Sequence, residues 1–234
     1  MEPQENNNSG AGVTDDDGRW SGLGTRMLSA VALGIVAFIC VWMGGMVFTS
    51  LVLLAALVMK KEWDALVTDP SSVSRLRGYI YVILPCASLL WLRYQPGGVG
   101  IGATVALIAV ISATDIGAYF VGRRFGRHKL SPVISPNKTW EGLGGGFFAA
   151  IFIGLIVSSY VPVPHSFVGT VWTAGLLAIL AQVGDLFESS LKREAGVKDS
   201  GTILPGHGGL LDRLDGYMFT TPVFALLVHS AMVA

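Results

Sequence analysis

One feature constrains this chain more than any other. From residue 27 onward it is a series of apolar runs about as long as a bilayer is thick, separated by short stretches of charge, Gly and Pro. A helix that crosses the hydrocarbon core needs about 20 mostly apolar residues. Runs of that kind fall at roughly 27–43, 44–60, 78–93, 99–121, 142–161, 168–190 and 214–233. The expected fold class is therefore all-α, a polytopic transmembrane helical bundle of about seven spans with cytoplasmic catalytic loops. The first two runs meet at Gly44-Gly45, as two short spans or as one broken hairpin. The third contains Pro85, which a membrane helix tolerates with a kink. Composition agrees. Only 14% of the 234 residues are charged, against about 25% in a soluble domain, so the surface suits lipid better than water.

The basic residues set an expected orientation. With the N-terminus in the cytoplasm, 15 of the 16 Lys and Arg residues fall on the cytoplasmic side, and only Arg93 falls opposite. That asymmetry is the positive-inside pattern. Three sections follow: a disordered cytoplasmic tail (1–26), N-terminal transmembrane helices (27–98) and a catalytic transmembrane domain (99–234). The tail carries Asn6-Asn7-Asn8 and Asp15-Asp16-Asp17; it lacks the apolar residues a core needs, and its acidity does not suit a signal peptide. The net charge of zero gives no general pull toward nucleic acid. Cys40 and Cys86 sit in apolar runs with no Cys/His cluster around them, so they read as inert buried thiols.

The chemistry should sit in two cytoplasmic stretches, 115–146 and 185–215. In the second, Asp185, Glu188 and Lys192 share one helix face at i, i+3 and i+7. A carboxylate at the membrane interface is costly and so marks a functional site, although Glu188 and Lys192 could simply pair. The following loop, with Lys198, Asp199, His207, Gly208 and Gly209, leads into Asp212-Arg213-Leu214-Asp215. Asp212 suits a helix N-cap. Glycines let the backbone approach a ligand closely, and a phosphate near the helix N-terminus is a sound expectation. Two converging carboxylates suit Mg²⁺, which takes its other oxygens from phosphate and water. Glycines 142, 144, 145 and 146 follow no strand, so they read as close helix packing rather than as a dinucleotide turn.

The run from Ser189 to Asp215 resembles the signature of phosphatidate cytidylyltransferases. Its fixed positions are Ser189, Leu191, Lys192, Arg193, Lys198, Asp199, Gly201, Leu204, Pro205, His207, Gly208, Gly209, Leu210, Asp212, Arg213, Leu214 and Asp215. Upstream, Ser135-Pro136-Asn137-Lys138-Thr139-Trp140-Glu141-Gly142 is similar to the family's S-P-x-K-T-x-E-G element, and Asp115-Ile116-Gly117 precedes it. The likeness covers about 115–217. Glu62-Trp63 is the one upstream trace. The resemblance implies that a phosphatidate oxygen attacks the α-phosphorus of CTP, releasing pyrophosphate and forming CDP-diacylglycerol. The family further implies Asp185 and Asp212 as Mg²⁺ ligands, with K⁺ as a possible second cation, and Lys192, Arg213 and His207 as catalytic. Ser135, Lys138, Thr139, Arg193, Lys198, Asp199, Gly208, Gly209, Asp215 and Asp115 would bind substrate.

Some of the cations could instead be ordinary positive-inside residues, and His207 could simply bond the backbone of its own loop. The expected setting is a bacterial inner membrane with the active site facing the cytoplasm, in a funnel open sideways to lipid. The partners are CTP, phosphatidate and the bilayer, with no nucleic acid; a homodimer is consistent with the family. Two competing readings are a CTP-dependent lipid-alcohol kinase, which would release CDP, and a transporter. A transporter's carboxylates should be spread through the bilayer depth, whereas here they gather on one side.

Overall fold

The structure is a computed structural model that describes residues 31–67, 71–163, 166–203 and 208–233. Seven helices are described, one for each apolar run. They are α1 (Val31–Met43), α2 (Gly45–Leu66), α3 (Ser72–Arg93), α4 (Val99–Phe125), α5 (Trp140–Ser158), α6 (Phe167–Glu194) and α7 (Leu211–Val233). Five of them, α3 to α7, are long and apolar enough to cross a membrane. The described α1 has only 13 residues. The last two turns of α2 carry Lys60, Lys61, Glu62 and Asp64. The tail at 1–26 lies outside the described residues.

Local chemistry explains the helix ends. Gly44 and Gly45 both have positive φ, 63° and 52°, so the chain breaks between α1 and α2. Arg93 closes that break: its Nε donates to Val41 O at 2.7 Å and its Nη2 to Trp42 O at 3.2 Å. A guanidinium on the terminal carbonyls of a helix is favoured by the macrodipole. This gives the single basic residue expected on the far side a structural task. At the start of α3, Ser71 Oγ accepts from Ser74 N at 3.2 Å, which places that helix six residues ahead of the apolar run.

The core lies among α3 to α7, around Leu107, Ile111, Leu177, Ala178 and Phe224. Helices α4 and α5 pack closest. A Cβ on Gly117 would lie 2.7 Å from Gly145 O, and one on Gly146 would lie 2.7 Å from Thr114 O. The expected packing role therefore holds for Gly142, Gly145 and Gly146, each in tight contact with α4, while Gly144 faces open space. Many large apolar side chains point outward, among them Leu57, Phe148, Phe152 and Trp172. In water such a surface would aggregate; in lipid it is the solvated face.

One element lies outside the all-α expectation, and it corrects the premise that no strand precedes Gly142. Between α4 and α5 the chain forms an antiparallel hairpin of β1 (Lys129–Ser131) and β2 (Ser135–Thr139), with Lys129 opposite Thr139 and Ser131 opposite Ser135. Pro132 and Pro136 hide it from an alternation search, and the register shift between Lys129 and Ser131 breaks its period. The hairpin carries Lys138 to the mouth of α6.

Candidate active site at the mouth of α6 and α7

Four elements meet at this end of the bundle: β2, the last turns of α6, the described parts of the following loop (195–203 and 208–210) and the first turns of α7. Two lysine–aspartate pairs define it. Lys138 Nζ lies 2.6 Å from Asp185 Oδ2 and donates to Gln182 O at 3.5 Å. Lys192 Nζ lies 2.6 Å from Asp212 Oδ1 and 3.3 Å from Glu188 Oε1. The pairing of Glu188 with Lys192 is thus real, and Glu188 is wholly buried. Neither of its oxygens has a hydrogen-bond partner.

The two aspartates differ in how fully they are used. Asp212 Oδ2 accepts from Gly209 N and Ser200 N, each at 2.8 Å, and from Ser200 Oγ at 3.0 Å. Its other oxygen holds Lys192. Asp185 has, besides Lys138, only the Ser189 hydroxyl at 3.3 Å. It also shares its surroundings with two further acids. Asp215 interacts electrostatically with Asp185 and Asp115 as like charges and with Lys138 as the opposing one. Asp115, Asp185 and Asp215 therefore converge from α4, α6 and α7 around one lysine.

A buried residue from outside the two stretches completes the mouth. Glu62, in the last turns of α2, is 3% exposed. Its Oε1 accepts from Leu210 N at 2.9 Å and its Oε2 from Leu211 N at 2.7 Å. Together Glu62 and Asp212 bond the amides of Gly209, Leu210 and Leu211. These were the donors expected to face a phosphate, so that expectation is corrected: the start of α7 is already neutralised by two carboxylates. The glycines serve the same end. A Cβ on Gly208, at φ 82°, would lie 2.9 Å from Asp212 Oδ2, and one on Gly209 would lie 2.9 Å from the Glu62 carboxyl. These glycines admit the protein's own acids. Sequence reasoning gave Glu62 no role; its signals were the upstream family trace at Glu62-Trp63 and an acid beside Lys60 and Lys61 at the end of an apolar run.

The remaining expected residues divide. Thr139 is buried, and its hydroxyl accepts from Gly142 N at 3.1 Å as the N-cap of α5. Ser135 opens β2. Arg193 donates to Ile134 O at 3.3 Å and Val197 O at 3.4 Å, bracing the hairpin turn against the end of α6. Lys198, Asp199 and Arg213 are exposed beside the mouth. His207 lies outside the described residues. A further brace also escaped the sequence reading: Glu141 Oε1 sits 2.6 Å from His128 Nδ1 and ties the base of the hairpin.

Among the described residues no set of three or more His, Cys, Asp or Glu side chains forms a ready-made metal cage. The donor chemistry nevertheless suits Mg²⁺, which needs only one or two carboxylates when phosphate and water supply the rest. Asp115, Asp185 and Asp215 supply negative charge that Lys138 alone does not balance.

The model of the cytidylyltransferase family matches residues 71–231. A phosphatidate cytidylyltransferase of Brucella suis is 38% identical over 242 aligned positions, covering 84% of this chain and 89% of that protein. Those of Staphylococcus epidermidis and Staphylococcus aureus are each 43% identical over 58% of this chain and 52% of their own length.

Proposed function

We propose that this chain, which belongs to the cytidylyltransferase family, transfers the cytidylyl group of CTP to phosphatidate. A phosphate oxygen of phosphatidate forms a bond to the α-phosphorus of CTP. The bridging bond between the α-phosphorus and the β-phosphate breaks, and the electron pair leaves with pyrophosphate. The product is CDP-diacylglycerol. The observation that carries this reading is the convergence of Lys138 and Lys192, one from each motif, on acids at the same mouth.

The work of such a site is positioning and charge neutralisation. Lys138 is held on Asp185 with little else to bond, so it can turn to a phosphate. Lys192 is anchored by Glu188 and Asp212 and presents a fixed cation beside it. Arg193, Lys198 and Arg213 add positive charge at the rim. The transfer is direct, without a covalent enzyme intermediate. Asp185 and Asp212 would hold Mg²⁺, and K⁺ would share the same carboxylates; Asp215 and Asp115 lie beside Asp185 as further acids. The metal would neutralise charge on the triphosphate and on the departing pyrophosphate.

We place this site on the cytoplasmic side of a bacterial inner membrane, with seven spans and a cytoplasmic N-terminus. The support is the gathering of basic residues at this end. A homodimer is compatible with the exposed apolar faces.

Purified protein in micelles, given phosphatidate, Mg²⁺ and CTP labelled at the α-phosphorus, should move label into lipid. Asp185→Asn and Asp212→Asn should not. Label that enters a lipid alcohol only from the γ-position of CTP would instead establish a kinase.

A further inference from the structure

The end of α4 and the base of the hairpin carry cations that the charged mouth does not use. From Ile116 to Trp140 the chain holds Arg123, Arg124, Arg127, Lys129 and Lys138, and not one Asp or Glu. Lys138 turns inward to Asp185. The other four are exposed, and among the described residues none of them lies within ion-pair distance of a carboxylate. Glu141, at the start of α5, is occupied by the ring and the amide of His128. Lys60, at the end of α2, is by contrast neutralised by Asp64. Where these arginines touch protein side chains, they touch aromatic ones. Arg123 donates to the Tyr119 hydroxyl, and the Arg124 guanidinium lies 5.2 Å from the centre of the exposed Phe125 ring.

Two neighbouring helices fix the depth of these cations. On α5, Trp140, Phe148, Phe152 and Ile156 are all exposed, and their spacing by multiples of four puts them on one face. Gly144, which completes the stripe, faces open space. On α4, Ile116, Phe120 and Arg124 form the matching exposed stripe. The α5 stripe thus ends in a tryptophan, and the α4 stripe passes from an aromatic ring to a cation. An outward apolar face that ends in Trp marks the boundary between hydrocarbon and head groups. The two ends stand at the same height, because Trp140 N donates to His128 O at 3.0 Å. Arg127 and Lys129 flank His128, and Arg124 lies one turn before it. All three therefore sit in the layer that holds lipid phosphates.

We propose that the end of α4 and the hairpin base form a docking surface for anionic phospholipids of the surrounding leaflet, of the phosphatidylglycerol type. The phosphodiester sits among Arg124, Arg127 and Lys129, and Trp140 packs beside the upper acyl chain. Charge complementarity carries the assignment. Each basic residue at an anionic membrane surface strengthens binding about fivefold, and here no protein acid competes for the three. A choline head group brings its own cation, which offsets its phosphate, so a zwitterionic lipid gains little. The occupant is a lipid that the enzyme does not consume. The surface lies outside the mouth and does not depend on the reaction proposed above.

The test uses tryptophan fluorescence of the full chain in dioleoyl-phosphatidylcholine vesicles. A minor fraction of the lipid is brominated near the head-group end of an acyl chain, as phosphatidylglycerol in one set and as phosphatidylcholine in the other. Bromine quenches the tryptophans it touches. Brominated phosphatidylglycerol should quench more, with a relative association constant about tenfold above that of brominated phosphatidylcholine. The excess should shrink in about 1 M NaCl, where the screening length falls to about 3 Å. Trp140→Phe removes the reporter and should remove the excess. The triple variant Arg124→Gln, Arg127→Gln, Lys129→Gln should lose most of it. The variant Arg124→Lys, Arg127→Lys keeps the charge and should keep the excess, which separates loss of the surface from loss of the fold. Equal quenching by the two lipids in the wild type would overturn the proposal. So would an excess that survives either Trp140→Phe or the triple Gln variant.

Discussion

The two lysine–aspartate pairs at the mouth have the same length, 2.6 Å, and opposite characters. In the pair Lys192–Asp212 both side chains are nearly buried, at 12% and 7% exposure. Asp212 makes three further bonds, and the pair ties α6, the loop and α7 together. In the pair Lys138–Asp185 the aspartate is 35% exposed and makes one weak bond besides the lysine. The first pair is a joint, since breaking it leaves buried charge without a partner. The second, at 15% and 35% exposure, is a contact that a charged ligand can replace at lower cost, since the more an ion pair is exposed the less it contributes. Equal distances therefore do not mean equal settings: Asp212 is also tied into the fold by its other bonds, whereas Asp185 is held by little besides its lysine.

Substitutions can break or sharpen this contrast. Asp212→Asn should show the largest effect on stability, about 3 kcal/mol, because buried Lys192 loses the nearer of its two carboxylates and the amides of Ser200 and Gly209 lose a charged acceptor; thermal unfolding in micelles measures it. Glu62→Gln should come next. It leaves one carbonyl oxygen for two helix amides, at a cost of about 2 kcal/mol. Its Tm should fall although residue 62 lies outside both motifs. Thr139→Ala should cost about 1 kcal/mol by removing the cap of α5. If Asp212→Asn unfolded like the wild type, the joint would not be one. If Glu62→Gln did so, α2 would not be part of the mouth.

Much of this was legible in the sequence, because membrane helices announce themselves by length and apolar character. Each apolar run became a helix, and Lys138, Asp185, Lys192 and Asp212 could be singled out from charge at the ends of apolar runs and from the motifs. What stayed hidden depended on distance along the chain. Nothing local joins Glu62 to Leu210 and Leu211, 148 and 149 positions away. The hairpin escaped because two prolines and a register shift erase its alternation. The phosphate expected at the start of α7 was sound physics for a free helix end. The structure fills that end with carboxylates from Asp212 and Glu62 instead. The same helix-end electrostatics hold, and the protein supplies the anions itself.

Asp185→Asn tests the central claim most directly when Tm and transfer of α-labelled cytidylyl to phosphatidate are measured on the same preparation. The account predicts a Tm close to that of the wild type and a rate lower by about a thousandfold. A variant that unfolds as readily as Asp212→Asn, or that still transfers label at the wild-type rate, would contradict it.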